Sequence, residues 1–205
     1  VFGRRNSLRF TENEFLNEGG SFGIPIQSGS ITGISFIARQ NAEDQSGGMM
    51  IFTQNGIFEF DAPYDRTEWK NLQQPLQKYA LLSFGSLGPD CIVNVNGDLW
   101  YRSDDGIRSF FFGTRDFAGW GNTPASTEVN WILEKDTAPF LPYCSMANFD
   151  NRLFTTVLPY NSARGMLFRG VVALDFNGIS SLIRENHPAW EGMWATKYDL
   201  PILKI

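Results

Sequence analysis

The aspartates Asp61, Asp65, Asp98, Asp116, Asp136, Asp150 and Asp175 are spread along the chain. Two carboxylates facing each other about 5–10 Å apart across a pocket would equip a glycoside hydrolase. Local spacing assembles no such pair, and distant strands would have to bring one together. None of these residues follows the D-x-D-x-D-G spacing of a calcium loop. Nucleophilic catalysis of the Ser-His-Asp type would rest on His187, the one histidine of the sequence, which sits beside Pro188 after the polar run Arg184-Glu185-Asn186. That is the setting of an exposed loop histidine. The chain contains no G-x-S-x-G, P-loop or G-x-G-x-x-G segment. Cys91 and Cys144 lie 53 residues apart and form no zinc spacing. Their apolar, strand-like surroundings predict two buried free thiols rather than a disulfide, which favours assembly in a reducing cytosol. The expectation is a protein without catalytic residues, metal or cofactor.

Two further groups are motif-like. Trp100, Trp120 and Trp194 stand in aromatic and glycine-rich surroundings, such as Gly119-Trp120-Gly121 and Trp190-Glu191-Gly192-Met193-Trp194. They could stack on sugar rings, and burial in tight turns explains them equally well. The stretch Ser103-Asp104-Asp105-Gly106-Ile107-Arg108-Ser109-Phe110 resembles the Asp-box turn of sialidase-type propellers, with its glycine one position early. Such a turn is a folding device, and here Asp104 or Asp105 is expected to close an Asx-type turn, with Gly106 at positive φ.

The elements that must position these residues read as strands. The segment Met50–Phe60 is echoed by Ile92–Arg102, and each centres on an Asn-Gly pair, Asn55-Gly56 and Asn96-Gly97, 41 residues apart. Asn-Gly suits the two-residue type I′ turn of a β-hairpin. Hairpins recurring every roughly 40–45 residues have the period of propeller blades. Eighteen Phe, six Trp, six Tyr, twenty Gly and ten Pro suit strands separated by turns better than long helices. Blade-like units are predicted at about 28–63, 76–112 and 143–176. The first opens on Ile31–Ile37, and Gln40–Gly48 is read as a polar loop. The second opens on Tyr79–Phe84, with Ile107–Phe112 after its hairpin. In the third, strands Asn151–Val157 and Gly170–Phe176 flank a loop at Leu158–Arg169. A helical insert is expected at about 124–136, with Thr123 as N-cap, Pro124 in its first turn, and Val129, Ile132 and Leu133 on one face. A second short turn of helix is expected from Asn177 through Ile183. The fold class is therefore all-β, made of propeller-like repeats of antiparallel sheets with one or two short inserted helices, and 1–205 read as a single domain or a fragment of one.

The net charge of −5 argues against a general nucleic-acid surface, although Arg4, Arg5 and Arg9 crowd one end. No apolar run reaches the ~18–20 residues of a membrane span. Val1 is not an initiator Met, and Tyr198–Ile205 reads as a strand without turn or partner, so the chain is expected to be a piece of something longer.

The segments Gly97–Phe110, Asn148–Leu153, Arg169–Phe176 and Pro188-Ala189-Trp190-Glu191-Gly192 resemble propeller-containing structural proteins of tailed phages, of the tail nozzle or tail tubular type. The resemblance covers about Leu76–Trp194. It implies a propeller carried on a ring of identical subunits, usually sixfold, around the channel for DNA exit. The implied neighbours are tail proteins on the adaptor and portal side and fibres, with DNA passing but not bound specifically. The implied location is the virion tail, assembled in the host cytoplasm. An acidic chain would repel phosphate in such a channel. The alternative is a carbohydrate-binding, receptor or lectin-like propeller using Trp100, Trp120 or Trp194.

Overall fold

The computed structural model of the protein describes residues 7–9, 21–37, 48–60, 66–72, 76–78, 83–115, 123–163, 165–177, 190–195, 202 and 205. Strands β1 (Ser7–Arg9) and β2 (Ser21–Gly23) form a ribbon. The first sheet contains β3 (Ile31–Ile37), β4 (Gly48–Thr53), β5 (Gly56–Phe60) and β6 (Leu76–Lys78). The second contains β7 (Ile92–Val95), β8 (Asp98–Ser103) and β9 (Gly106–Ser109). The third contains β10 (Met146–Phe149), β11 (Arg152–Ser162), β12 (Gly165–Asp175) and β13 (Trp190–Ala195). All pairings of these strands are antiparallel, and in each sheet the spatial order of strands is their chain order, so each sheet is an open meander. The chain is mainly antiparallel β, as expected.

Turn chemistry explains most of the hairpins. Asn96 (φ 52°) and Gly97 (φ 83°) form the left-handed pair that a type I′ turn requires. Asp150 (φ 50°) and Asn151 (φ 55°) do the same between β10 and β11. Their signal was an Asp-Asn pair, two residue types that tolerate this conformation. The first Asn-Gly pair behaves differently from expectation. Thr53 pairs with Gly56, so the turn residues are Gln54 and Asn55, neither at positive φ. A tertiary partner overrides the local preference: the Gln54 and Asn55 amides donate to the carbonyls of Ser30 and Ser28.

Three turns share one clasp. The hydroxyls of Thr53, Ser103 and Ser162 each donate across a two-residue turn to the carbonyl of the glycine that follows it, Gly56, Gly106 and Gly165, at 2.9, 2.9 and 3.0 Å.

The unit boundaries differ from the sequence reading. Leu76–Lys78 pairs with Phe58–Phe60 and so closes the first sheet, where the second unit had been expected to begin. Of the strand expected at Tyr79–Phe84, residues 79–82 lie outside the described residues, and Ser83 and Phe84 are not in a strand. The expected loop Leu158–Arg169 is instead the far half of a long hairpin, with Ser162 paired to Gly165. Pro159 fits there because its partner Phe168 exchanges both backbone hydrogen bonds with Ile202, leaving no ladder bond for the missing Pro N–H to make. The Phe168–Ile202 bridge also gives part of the expected C-terminal strand a partner.

Ser109 ends β9, and the chain turns into helix α1 (Phe110–Arg115) where a strand to Phe112 had been expected. The hydroxyl of Ser109 accepts from the Phe112 amide, and Asp98 accepts from the Phe111 amide, a capping arrangement that starts the helix. The helical insert is present but begins later, as a single turn at Thr127–Val129 running into α2 (Asn130–Leu133). Residues 124–126 are held by the second sheet instead: Ala125 N–H donates to Ile107 O, and Ile107 N–H donates to Ser126 Oγ. Val129, Ile132 and Leu133 are buried together, as their spacing predicted. The helical turn expected over 177–183 falls outside the described residues after Asn177.

The sheets pack face to face in chain order. Met50, Phe52 and Ile57 of the first sheet meet Leu99 and Tyr101 of the second, and Trp100, Val95 and Ile107 of the second meet Leu153, Val157, Val172 and Leu174 of the third. Strand β8 therefore sends alternate side chains into opposite seams. At about 1.5–3 kcal/mol for each large apolar side chain buried, these seams outweigh any single turn. The outer face of the first sheet, Ile51, Phe58 and Phe60, is covered in part by Phe22 and Ile24 of the N-terminal segment.

Candidate functional site

The Asp-box-like stretch is a structural knot. The Asp105 carboxylate accepts from Arg108 Nη2 at 2.5 Å and lies 2.6 Å from Ser103 Oγ, whose single proton it shares with the Gly106 carbonyl, and the Arg108 guanidinium lies 4.1 Å from the centre of the Phe84 ring. Asp105 thus clamps side chains rather than closing an Asx turn. Gly106 sits at φ 153°, as expected, and a Cβ there would lie 2.5 Å from Ser126 Oγ. Asp98 is occupied with Ser109 and the start of α1.

A second polar group is buried at the seam of the second and third sheets. Arg102 Nη2 donates to Asp136 Oδ2 at 2.6 Å, with side chains 1% and 0% exposed. The other oxygen, Asp136 Oδ1, accepts from the Leu158 amide at 2.6 Å. Leu158 stands at φ 55°, a costly conformation for a bulky residue, and Asp136 holds it there. Burial pushes the Asp136 carboxyl above its usual range, outweighing the opposing pull of Arg102. Cys91 and Cys144 are both free and buried, and the Cys91 thiol donates to the Cys144 carbonyl at 2.9 Å. Burial pushes the two thiols up to about 12 and about 11, so neither is a nucleophile.

The three tryptophans part company. Trp100 is 2% exposed and packed edge-on against Phe112 and Phe176, so it offers no face to a sugar. Trp120 and His187 lie outside the described residues, as do Asp61, Asp65 and Asp116. Trp194, on β13, is 49% exposed and meets Phe154 edge-on at 5.4 Å between ring centres.

Trp194 belongs to the outer face of the third sheet, away from the buried seam. Cross-strand register places Phe149, Arg152 and Asp175 in one row of that face and Ala147, Phe154, Ala173 and Gly192 in the next. Thr156, Val171 and Trp194 make the third. Arg152 reaches Asp150 at 3.0 Å, Asp175 at 3.4 Å and Glu191 at 3.0 Å. Its guanidinium pKa is raised, chiefly by the hydrogen bond to Glu191. Three carboxylates around one guanidinium leave an excess of two negative charges. Sequence spacing did not reveal this cluster, because Asp175 and Glu191 reach Arg152 only through the strand register.

Among the described residues no three His, Cys, Asp or Glu side chains are grouped to hold a metal ion, and no helix is long and apolar enough to cross a membrane. No family model matches the chain, and no curated protein is significantly similar to it.

Proposed function

We propose that the chain is a structural subunit of a phage tail, built as part of a β-propeller and contributing to a ring of the nozzle or tail tubular type around the DNA exit channel. The observation that carries the reading is the face-to-face packing of successive antiparallel meanders in chain order, which is how propeller blades succeed one another. The resemblance of Gly97–Phe110 and the later segments to phage tail proteins gives the reading its biological setting. The polar side chains fit it as well: Asp105, Asp98 and Asp136 serve a turn, a helix start and a strained strand. Other copies of the chain and adjoining tail proteins are its partners, and DNA passes without specific contact. Electron microscopy of particles containing the protein tests the proposal. Density for this chain in a ring on the tail axis is the expected result, and its absence from any particle overturns it.

A second reading draws on Trp194, 49% exposed, which shares the outer face of the third sheet with the small residues Ala173 and Gly192 and, two rows away, with the Arg152 cluster. An aromatic face near hydrogen-bonding charges suits a carbohydrate ligand. Glycan-array binding that disappears in Trp194→Ala, with the fold intact, would favour this reading. An array on which the native chain stays blank removes it.

A further inference from the structure

We infer that the buried Arg102 guanidinium anchors an internal water site, in which ordered water joins its unmatched N–H groups to the Thr155 hydroxyl within the seam of the second and third sheets. The site belongs to the fold of the chain, whatever assembly surrounds it.

A guanidinium carries five N–H donors and no acceptor. Arg102 is 1% exposed, and its Nη2 donates to Asp136. Its Nε and Nη1 reach no acceptor among the described residues. Asp136 is turned elsewhere, with one oxygen on Nη2 and the other on the Leu158 amide.

Thr155 presents the same deficit from the opposite sheet. It is fully buried, and its hydroxyl, which can both donate and accept, has no partner among the described residues. Its neighbours at alternate positions of β11, Leu153 and Val157, belong to the seam, as do its cross-strand partners Met146 and Val172. Trp100, two residues before Arg102 on β8, lies in the same seam. Alternation along the two strands therefore turns Thr155 and Arg102 into one seam. Asp136 sets the scale of the gap between them. It holds the Arg102 head group and the Leu158 amide together, and Leu158 follows Thr155 by three residues, about 10 Å along β11 at ~3.3 Å per residue. A short chain of waters covers a gap of that order.

Buried polar atoms with nothing to bond are costly, and internal water held by two to four polar partners is how folded chains meet that deficit. Water suits the site better than an anion, because Asp136 already neutralises Arg102 and the surrounding seam is apolar. The Thr155 hydroxyl supplies the acceptor that a water needs beside the donors of Arg102.

Replacing Thr155 by the shape-matched Val gives a test of sign. Were the hydroxyl without any partner, Thr155→Val would raise the folding equilibrium constant measured by urea unfolding. Where it anchors water on Arg102, Thr155→Val should lower that constant by about tenfold, and by less than about twofold once Arg102→Met and Asp136→Asn have removed the charges. A constant that is unchanged or raised in the native background overturns the site, and so does an equal loss in both backgrounds. A crystal structure of the native chain that resolves solvent tests the site without any variant. Water at about 2.7–3.2 Å from Nε or Nη1 is expected. A protein acceptor or nothing at those atoms overturns the inference, as does the anomalous signal of bromide there after soaking, which marks an anion site instead.

Discussion

Arg102 and Asp136 show how a charge pair can matter more when broken than when made. Removing one partner strands the other in the seam, so Asp136→Ala should cost about 3–5 kcal/mol, whereas Arg102→Met with Asp136→Asn, which keeps an oxygen for the Leu158 amide, should come within about 1–2 kcal/mol of the native chain. Urea unfolding of the two variants checks the contrast; equal losses would mean that the pair itself is the stabilising term. The thiols supply a pH dependence. Cys91 keeps its proton to about 12 when folded against a value of 9.0 unfolded. Its contribution to stability is therefore intact below pH 9.0 and drains as pH rises towards about 12. Denaturation midpoints should fall through this alkaline window, and less steeply in Cys91→Ala with Cys144→Ala. At this scale the sequence announced the free buried cysteines through their apolar neighbours. It was silent about Asp136, because the partners Arg102 and Leu158 are 34 and 22 residues away. The fate of Trp100 was equally hidden, since the choice between stacking platform and core depends on which seam its strand enters.

Turns and strands carry predictions of a different kind, because glycine serves two purposes in them. A Cβ on Gly97 would meet nothing within 4 Å, so Gly97→Ala pays only for φ 83°, about 1–2 kcal/mol. A Cβ on Gly85 would lie 1.6 Å from the Thr53 carbonyl oxygen. Gly85→Ala should therefore cost more than about 3 kcal/mol or prevent folding, as overpacking against backbone does. Thermal unfolding of both variants measures the difference, and similar losses would refute it. The hydroxyl clasps should be graded by burial: Thr53→Ala and Ser103→Ala each lose about 1 kcal/mol, while Ser162→Ala, at an exposed turn, loses little. Hairpin positions were legible from Asn-Gly pairs and alternating apolar residues, and Asn96-Gly97 turned where expected. Asn55-Gly56 did not, because Ser28 and Ser30 bind the preceding turn more strongly than local φ preference can resist. The long β11–β12 hairpin was hidden by Pro159, a residue that reads as a strand breaker until its backbone neighbours are known.

Across the whole molecule, the seams make the three sheets interdependent. Phe52→Ala in one seam and Trp100→Ala in the other should each remove about 3–5 kcal/mol. Unfolding followed by far-ultraviolet circular dichroism and by tryptophan fluorescence should then still coincide; separate transitions would show sheets folding independently. The β class was visible in the aromatic, glycine and proline content. Strand membership was not, since nothing in Leu76–Lys78 says whether it closes one sheet or opens the next. The alternation of β8 has one more effect, on errors during folding. Sliding β8 by one residue would exchange its two faces, carrying the Arg102 guanidinium into the company of Met50 and Phe52 while Leu99 and Tyr101 turned the other way. Either neighbouring sheet would reject that slip on its own, so the middle sheet is proofread from both sides and misaligned chains have no comfortable place to rest.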